Sequence, residues 1–223
     1  YGTRKKEKTG FINKKGVMVI EPKYDEIRIF SEDLAAIRQN EKWGYINSNG
    51  KEISEPQFDQ VFDFIEGLAS ININDKWGVI NTEGKIIIRP QFDQVESFSK
   101  GLAVVIKDKK YGIINTDGKM IVKPQFDHVE SFSEGLAAVY NNSKGGFVNI
   151  EGKMVIQLKF DGGTGSFSEG LARIFKNEKQ GFINKEGEII IEPIFDEADD
   201  FRFGRAKVRI DGKYGYIKNP LKK

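Results

Sequence analysis

The sequence contains no cysteine, a single histidine, three methionines and two tryptophans among 223 residues. Without cysteine there are no disulfides, no thiolate nucleophile and no cysteine-bound zinc. The lone histidine, His128, takes the place of Gln60 and Gln94 at one repeat position and reads as a surface substitution, not a base or metal ligand. No apolar run approaches the ~18 residues of a membrane span, so membrane insertion is not expected. An excess of one charge is also missing. Against 33 acidic residues stand 35 basic ones, which gives no concentrated positive potential for nucleic acid. The short basic runs Arg4-Lys5-Lys6 with Lys8, and Lys218 with Lys222-Lys223, read as solubilising tails. No signal peptide is visible, and the opening Tyr1 falls part-way into a repeat, which suggests a processed or excised segment.

What the sequence has is a period. One glycine returns as Gly10, Gly44, Gly78, Gly112, Gly146, Gly181 and Gly215, with the phrase Lys42-Trp43-Gly44-Tyr45-Ile46-Asn47 rewritten around it each time. Self-similarity at about 34 residues marks a repeat architecture. Because the repeat runs end to end, residues 1–223 are read as one repeat domain with partial units at both ends.

Each unit reads as three or four strands. Gly101-Leu102-Ala103-Val104-Val105-Ile106 is short, apolar and β-branched. Its siblings hold alanine at one position (Ala35, Ala69, Ala103, Ala137, Ala172, Ala206), while the next position wanders through Ala36, Ser70, Val104, Ala138, Arg173 and Lys207. One face fixed and the other free to vary predicts a strand with one face in a tight environment. A polar turn leads to the Trp-Gly strand, whose glycine predicts a bulge or a close backbone approach. Asn-x-x-Gly tips such as Asn81-Thr82-Glu83-Gly84 predict tight hairpins. A third strand follows as Lys85-Ile86-Ile87-Ile88-Arg89, expected to stop at Pro90, and Gln91–Phe98 predicts a short fourth. No 3.6-residue periodicity is sustained, so the chain is all-β.

The phrases Lys-Trp-Gly-Tyr-Ile-Asn, Gly-Lys-x-Ile-Ile-x-Pro, Phe-Asp-x-Val and Glu-Gly-Leu-Ala recur in fixed order, and in this the chain resembles the bacterial Trp-Gly (WG) repeat family. It departs from that pattern where Thr9, Tyr111, Gly145, Gln180 and Tyr214 stand for tryptophan, where Leu158 stands for proline, and at Gly162-Gly163-Thr164-Gly165. The resemblance implies a repeat module of bacterial proteins, often in surface or secreted chains, and implies no reaction. Tandem antiparallel β-meanders of about 34 residues can close as a β-propeller-like ring of six to seven units or run on as an open β-solenoid or superhelical array. The ring is the first expectation. The alternative fits the roughly six and a half units that 223 residues provide.

Two sets of residues compete for function. The aspartates Asp25, Asp59, Asp93, Asp127, Asp161 and Asp196 recur after an aromatic; they read as turn caps, with a carboxylate-lined channel as the functional alternative. The aromatics Trp43, Tyr45, Trp77, Tyr111, Tyr214 and Tyr216 are the candidate binding residues if their face is open, and inter-unit core if it is covered. Gly145 and Gln180 at the tryptophan position point toward partial exposure, since burying a glutamine is costly. Specific recognition is expected where repetition fails, at Phe62–Ile65, Gly162–Gly165 and Asp199–Phe203. The expectation is a non-enzymatic binding or scaffold module without cofactor or metal, whose partner is a protein or a cell-surface glycan. A propeller-type glycan hydrolase and a structural spacer are the alternatives.

Overall fold

The computed structural model describes residues 7–12 and 14–222; Tyr1, Arg4, Lys5, Lys6 and Lys223 lie outside them. The described residues form strands and turns without a helix. The chain divides into two compact units, residues 1–108 with 114–119 and residues 109–113 with 120–223.

The first unit opens with β1 (Thr9–Ile12) paired to β2 (Met18–Tyr24). Then come β3 (Glu26–Ile27), β4 (Leu34–Gln39), β5 (Lys42–Asn47) and β6 (Glu52–Phe58), an antiparallel meander in that order. A second meander follows: β7 (Gln60–Val61), β8 (Leu68–Ile73), β9 (Lys76–Asn81) and β10 (Ile86–Phe92). The pair β11 (Gln94–Val95) and β12 (Leu102–Lys107) follows in this unit. The division runs through β13 (Lys110–Asn115), which precedes β14 (Met120–Phe126). In the second unit, β15 (His128–Val129), β16 (Leu136–Asn141), β17 (Lys144–Asn149) and β18 (Met154–Asp161) form a four-stranded meander. Three-stranded sheets follow, from β19 (Ala172–Lys176), β20 (Lys179–Ile183) and β21 (Ile189–Phe195), and from β22 (Glu197–Ala198), β23 (Arg205–Ile210) and β24 (Lys213–Lys218). The fold is thus all-β, tandem antiparallel meanders on a repeat of about 34 residues.

Local chemistry makes each element. The hairpin after β4 turns on Asn40 and Glu41, both with positive φ (51° and 66°), the two left-handed residues of a turn that matches strand twist. At the next tip the Asn47 side chain accepts the N–H groups of Asn49 and Lys51 while Gly50 takes φ 79°. The strand glycine is required by close approach: a Cβ on Gly44 would lie 2.7 Å from the nitrogen of Pro56. The register shifts at the same point, between Trp43 and Tyr45.

One expectation is corrected. Proline does not end the third strand: β10 runs through Pro90 to Phe92. It is the outer strand of its sheet, so the missing N–H costs no ladder bond. The face of the first long strand that varies in sequence is covered in four repeats, half-buried at Arg173 and open at Lys207. Ala36, Ser70, Val104 and Ala138 are all buried, and Ala138 shares a core with Phe167, Ala172 and Ile174 of the sheet that follows it. Ala36, Trp43 and Tyr45 share one core with Phe64, Ala69 and Ile71 of the following sheet.

Repeats are also tied by polar links 34 or so residues apart. Glu32 accepts the N–H groups of Glu66 and Gly67 (2.8 Å each), Glu66 those of Lys100 and Gly101 (2.7 Å each). In the second unit Glu169 accepts from Gly204 at 2.8 Å. The Ser31 hydroxyl donates to the Phe64 carbonyl, as Ser133 does to Phe167 and Ser168 to Phe201.

Candidate functional site

The recurrent aspartates belong to the framework. Asp59 accepts the Asn74 N–H at 2.8 Å and pairs with Lys42; Asp127 does the same with Asn142 and Lys110, and Asp196 with Asp211 and Lys179. The lysine ammonium, then the turn N–H, hold Asp59 and Asp127 below the usual carboxylate range. Each carboxylate thereby closes a hairpin turn. Asp161 keeps its lysine, Lys144, and marks where the repeat changes.

The aromatic candidates have different surroundings. Trp43 is only 8% exposed and lies beneath the guanidinium of Arg28, 4.3 Å from the ring centroid. Tyr45 is fully buried and donates to the Phe62 carbonyl at 2.6 Å; burial pushes its phenol far up. Trp77 is half-buried against Phe62, with centroids 5.1 Å apart. Tyr111 is half-buried, with its ring 5.0 Å from that of His128. Tyr214 and Tyr216, on β24, are exposed.

The substitutions of tryptophan do not signal exposure, contrary to the sequence-based expectation. Gln180 is buried, and its side-chain oxygen accepts the backbone N–H of Ala198 at 2.8 Å. A paired glutamine loses little on burial. Gly145 is buried beneath Thr164, whose methyl group would sit 2.9 Å from a Cβ there. The Gly162–Gly165 segment, with φ of 66° and 104° at its first two residues, brings Thr164 over Gly145, and Tyr140 donates to the Thr164 carbonyl at 2.6 Å. In that repeat the short strand shrinks to a single bridge, Thr164 to Ile174.

Among the described residues, clefts open where repetition fails, and three of them are the widest. In the first unit, one of about 480 Å³ runs between Phe62, Trp77 and the Asp93–Ser97 stretch. In the second, a cleft of about 480 Å³ lies between Tyr140, His128, Gly162–Gly165 and Phe175. The largest, about 600 Å³, is lined by Asp199, Phe203, Arg205, Lys207 and Tyr216. Arg173 borders both clefts of the second unit. Its Nε donates to Asp200 at 2.8 Å and its Nη1 to the Ala198 carbonyl at 2.9 Å, which fixes the guanidinium plane. Around it stand Phe203, 98% exposed, and Tyr216, 72% exposed. Such a site can hold an anionic or planar polar group by charge and stacking. Sequence reasoning passed over Arg173 as one letter of a wandering position. The signal was there: the position turns from Ala36, Ser70, Val104 and Ala138 to a cation at Arg173 and again at Lys207.

His128 pairs with Glu130 at 3.2 Å, and among the described residues no group of acidic and histidine side chains is arranged to hold a metal ion.

Comparison with known proteins gives a family and distant likenesses. No curated protein matches the chain significantly. Among solved structures, Kluyveromyces lactis Hsv2p is 11% identical with a TM-score of 0.44, over 88% of this chain and 75% of that one. The extracellular domain of the two component system BT4673 from B. thetaiotaomicron is 10% identical with a TM-score of 0.40, over 91% and 34%. Likenesses this remote carry no functional argument. The family profile described as WG containing repeat, by contrast, matches residues 10–43, 43–77, 77–111, 111–144, 146–179 and 181–214. Those six matches take in nearly the whole sequence in one register, and the chain therefore belongs to the WG containing repeat family.

Proposed function

We propose that the chain is a non-enzymatic binding module that takes a protein or glycan ligand in the second unit, at the clefts on either side of Arg173. One observation carries this reading: the two clefts are built from the residues at which the chain departs from its own repeat, Gly162–Gly165 and Asp199–Phe203. A framework residue recurs, whereas a recognition residue is free to differ from sibling to sibling. The occupied state of the carboxylates supports the same reading, since a general acid needs a raised pKa and Asp59 and Asp127 are held down. Exposed Phe203 and Tyr216 offer rigid apolar area, and Arg173 offers a fixed donor plane.

The test uses the 223-residue chain on immobilised arrays of defined glycans and defined peptides. The expected result is saturable binding to one ligand class, lost in Phe203→Ser and in Arg173→Met proteins with unchanged circular dichroism. Binding indifferent to both changes overturns the site. Turnover of any arrayed glycan that disappears in Asp93→Asn or Asp127→Asn protein overturns the non-enzymatic reading.

A further inference from the structure

Trp43 and Trp77 hold the same place in successive repeats and have different cover. Over Trp43 lies the Arg28 guanidinium, 4.3 Å from the ring centroid, with the Arg38 guanidinium 5.6 Å from it. Arg28 is also held from the far side of the gap. Its Nη1 donates to the Val61 carbonyl at 3.0 Å and stands 3.8 Å from an Asp63 carboxylate oxygen. Trp43 keeps only 8% of its surface exposed.

One repeat on, both cations are gone. Phe62 stands in the place of Arg28 and Asn72 in that of Arg38, while Val95 and Ser97 stand where Val61 and Asp63 do. Phe62 lies against Trp77, centroids 5.1 Å apart and planes at 31°, yet stays 51% exposed. A phenyl ring covers tryptophan as a guanidinium does, but it has no N–H to give a carbonyl and no charge to set against a carboxylate. The gap stays open as the cleft of about 480 Å³ between Phe62 with Trp77 and the Asp93–Ser97 stretch. Its lining carries two carboxylates, Asp93 and Glu96, and no cationic side chain. Asp93 already pairs with Lys76 at 2.6 Å, so the carboxylates set the sign of the cleft, while the rings and the Val95 carbonyl set its geometry. Directly across the β8–β9 pairing from Trp77, Asn72 is buried, and its Oδ1 accepts no hydrogen bond among the described residues. Aromatic rings beside backbone and carboxylate acceptors suit a planar cation.

We propose that the Phe62–Trp77 cleft receives an arginine side chain of a partner protein, in the role that Arg28 fills within the chain one repeat earlier. The guanidinium stacks on the exposed Phe62 ring beside Trp77 and donates to the Val95 carbonyl and the Ser97 hydroxyl. Lysine fits less well, since an ammonium has neither the planar face nor the fork of donors. A neutral glycan finds stacking surface here and no use for the negative sign. The site lies in the first unit and shares no lining residue with the clefts beside Arg173.

The probe is the capped peptide acetyl-Gly-Ser-Gly-Arg-Gly-Ser-Gly-amide, titrated into the isotopically labelled 223-residue chain while the two tryptophan indole N–H resonances are followed. The Trp77 indole should shift saturably and that of Trp43 should not move. Citrulline in place of the peptide arginine keeps the plane and loses the charge, and should weaken binding by at least about tenfold; lysine should weaken it by about threefold. Phe62→Arg installs the cover that Trp43 has and should abolish binding without lowering the melting temperature. Ser97→Asp restores the carboxylate that Arg28 meets in Asp63 and should tighten binding by about threefold. If Phe62→Arg lowers the melting temperature, the Ser97→Asp comparison decides alone. Absence of a saturable Trp77 shift, a citrulline peptide that binds equally well, or affinity unchanged in Ser97→Asp protein overturns the proposal, as does binding that survives in folded Phe62→Arg protein. Saturable binding of maltohexaose at Trp77 with no response to the arginine peptide also overturns it, since the occupant would then be a glycan.

Discussion

The side-chain oxygen of Gln180 accepts the backbone N–H of Ala198 at 2.8 Å, across the junction between one sheet and the next. At the same repeat position Trp43 fills the junction with an aromatic ring under Arg28. One slot thus has two solutions, apolar volume or a satisfied polar bond, and both exclude water. Replacing Gln180 by leucine keeps the volume and leaves the Ala198 N–H without its acceptor. Unfolding in urea should show a loss of about 1–3 kcal/mol. Unchanged stability would mean that the bond contributes nothing.

The failure of repetition at Gly145 and at Thr164 is one event. Gly145→Ala alone should be destabilising, because the new methyl meets the Thr164 methyl at 2.9 Å. Removing that methyl with Thr164→Ser should offset the loss. A double-mutant cycle should therefore give a coupling of about 0.5–3 kcal/mol. Additive single effects would show that the two departures arose independently.

Gly78 and Gly215 occupy the same repeat position and should answer the same substitution with opposite signs. Gly78→Ala drives a methyl into the backbone around Pro90 and should cost about 1–3 kcal/mol. Gly215→Ala meets nothing and removes a flexible residue from a strand, so it should be neutral or stabilise by up to about 1 kcal/mol. Thermal melts of the two variants decide the matter; equal losses would mean that glycine is needed for its conformation and not for the approach of a strand.

Acid should loosen the hairpin turns. Asp59 and Asp127 are depressed by their lysine and then by a turn N–H, and Asp196 foremost by Lys179. A carboxylate with a lowered folded-state pKa contributes stability that is present above its unfolded value. That contribution disappears as pH falls through the folded value, here below about pH 4. On the alkaline side Lys76 and Lys179 are raised by Asp93 and Asp196, so their contribution is complete below about pH 10 and disappears above it. The triple variant Asp59→Asn, Asp127→Asn, Asp196→Asn should lose stability less steeply between pH 5 and pH 2 than the parent, by about the same margin in any optical probe. An identical acid slope would show that these pairs are fully screened. Added salt should narrow the difference.

The sequence by itself determined the repeat length, the strands, the turns and the glycine notch. Those features rest on chemistry confined to a few neighbouring residues, such as the Asn47 side chain closing its own tip and Asn40 with Glu41 adopting left-handed backbone. The turn-capping aspartates were legible too, because a carboxylate placed once per unit after an aromatic has one repeated task. Only the tertiary structure decided that the short strand opens the next sheet, that both faces of β4, β8, β12 and β16 are covered, and that Trp43 and Tyr45 lie inside. It alone brought Arg173 to the border of two clefts and left Gly215 facing open space. Burial and pairing depend on what another repeat, some 34 residues away, lays against a side chain, and no local run of residues carries that information.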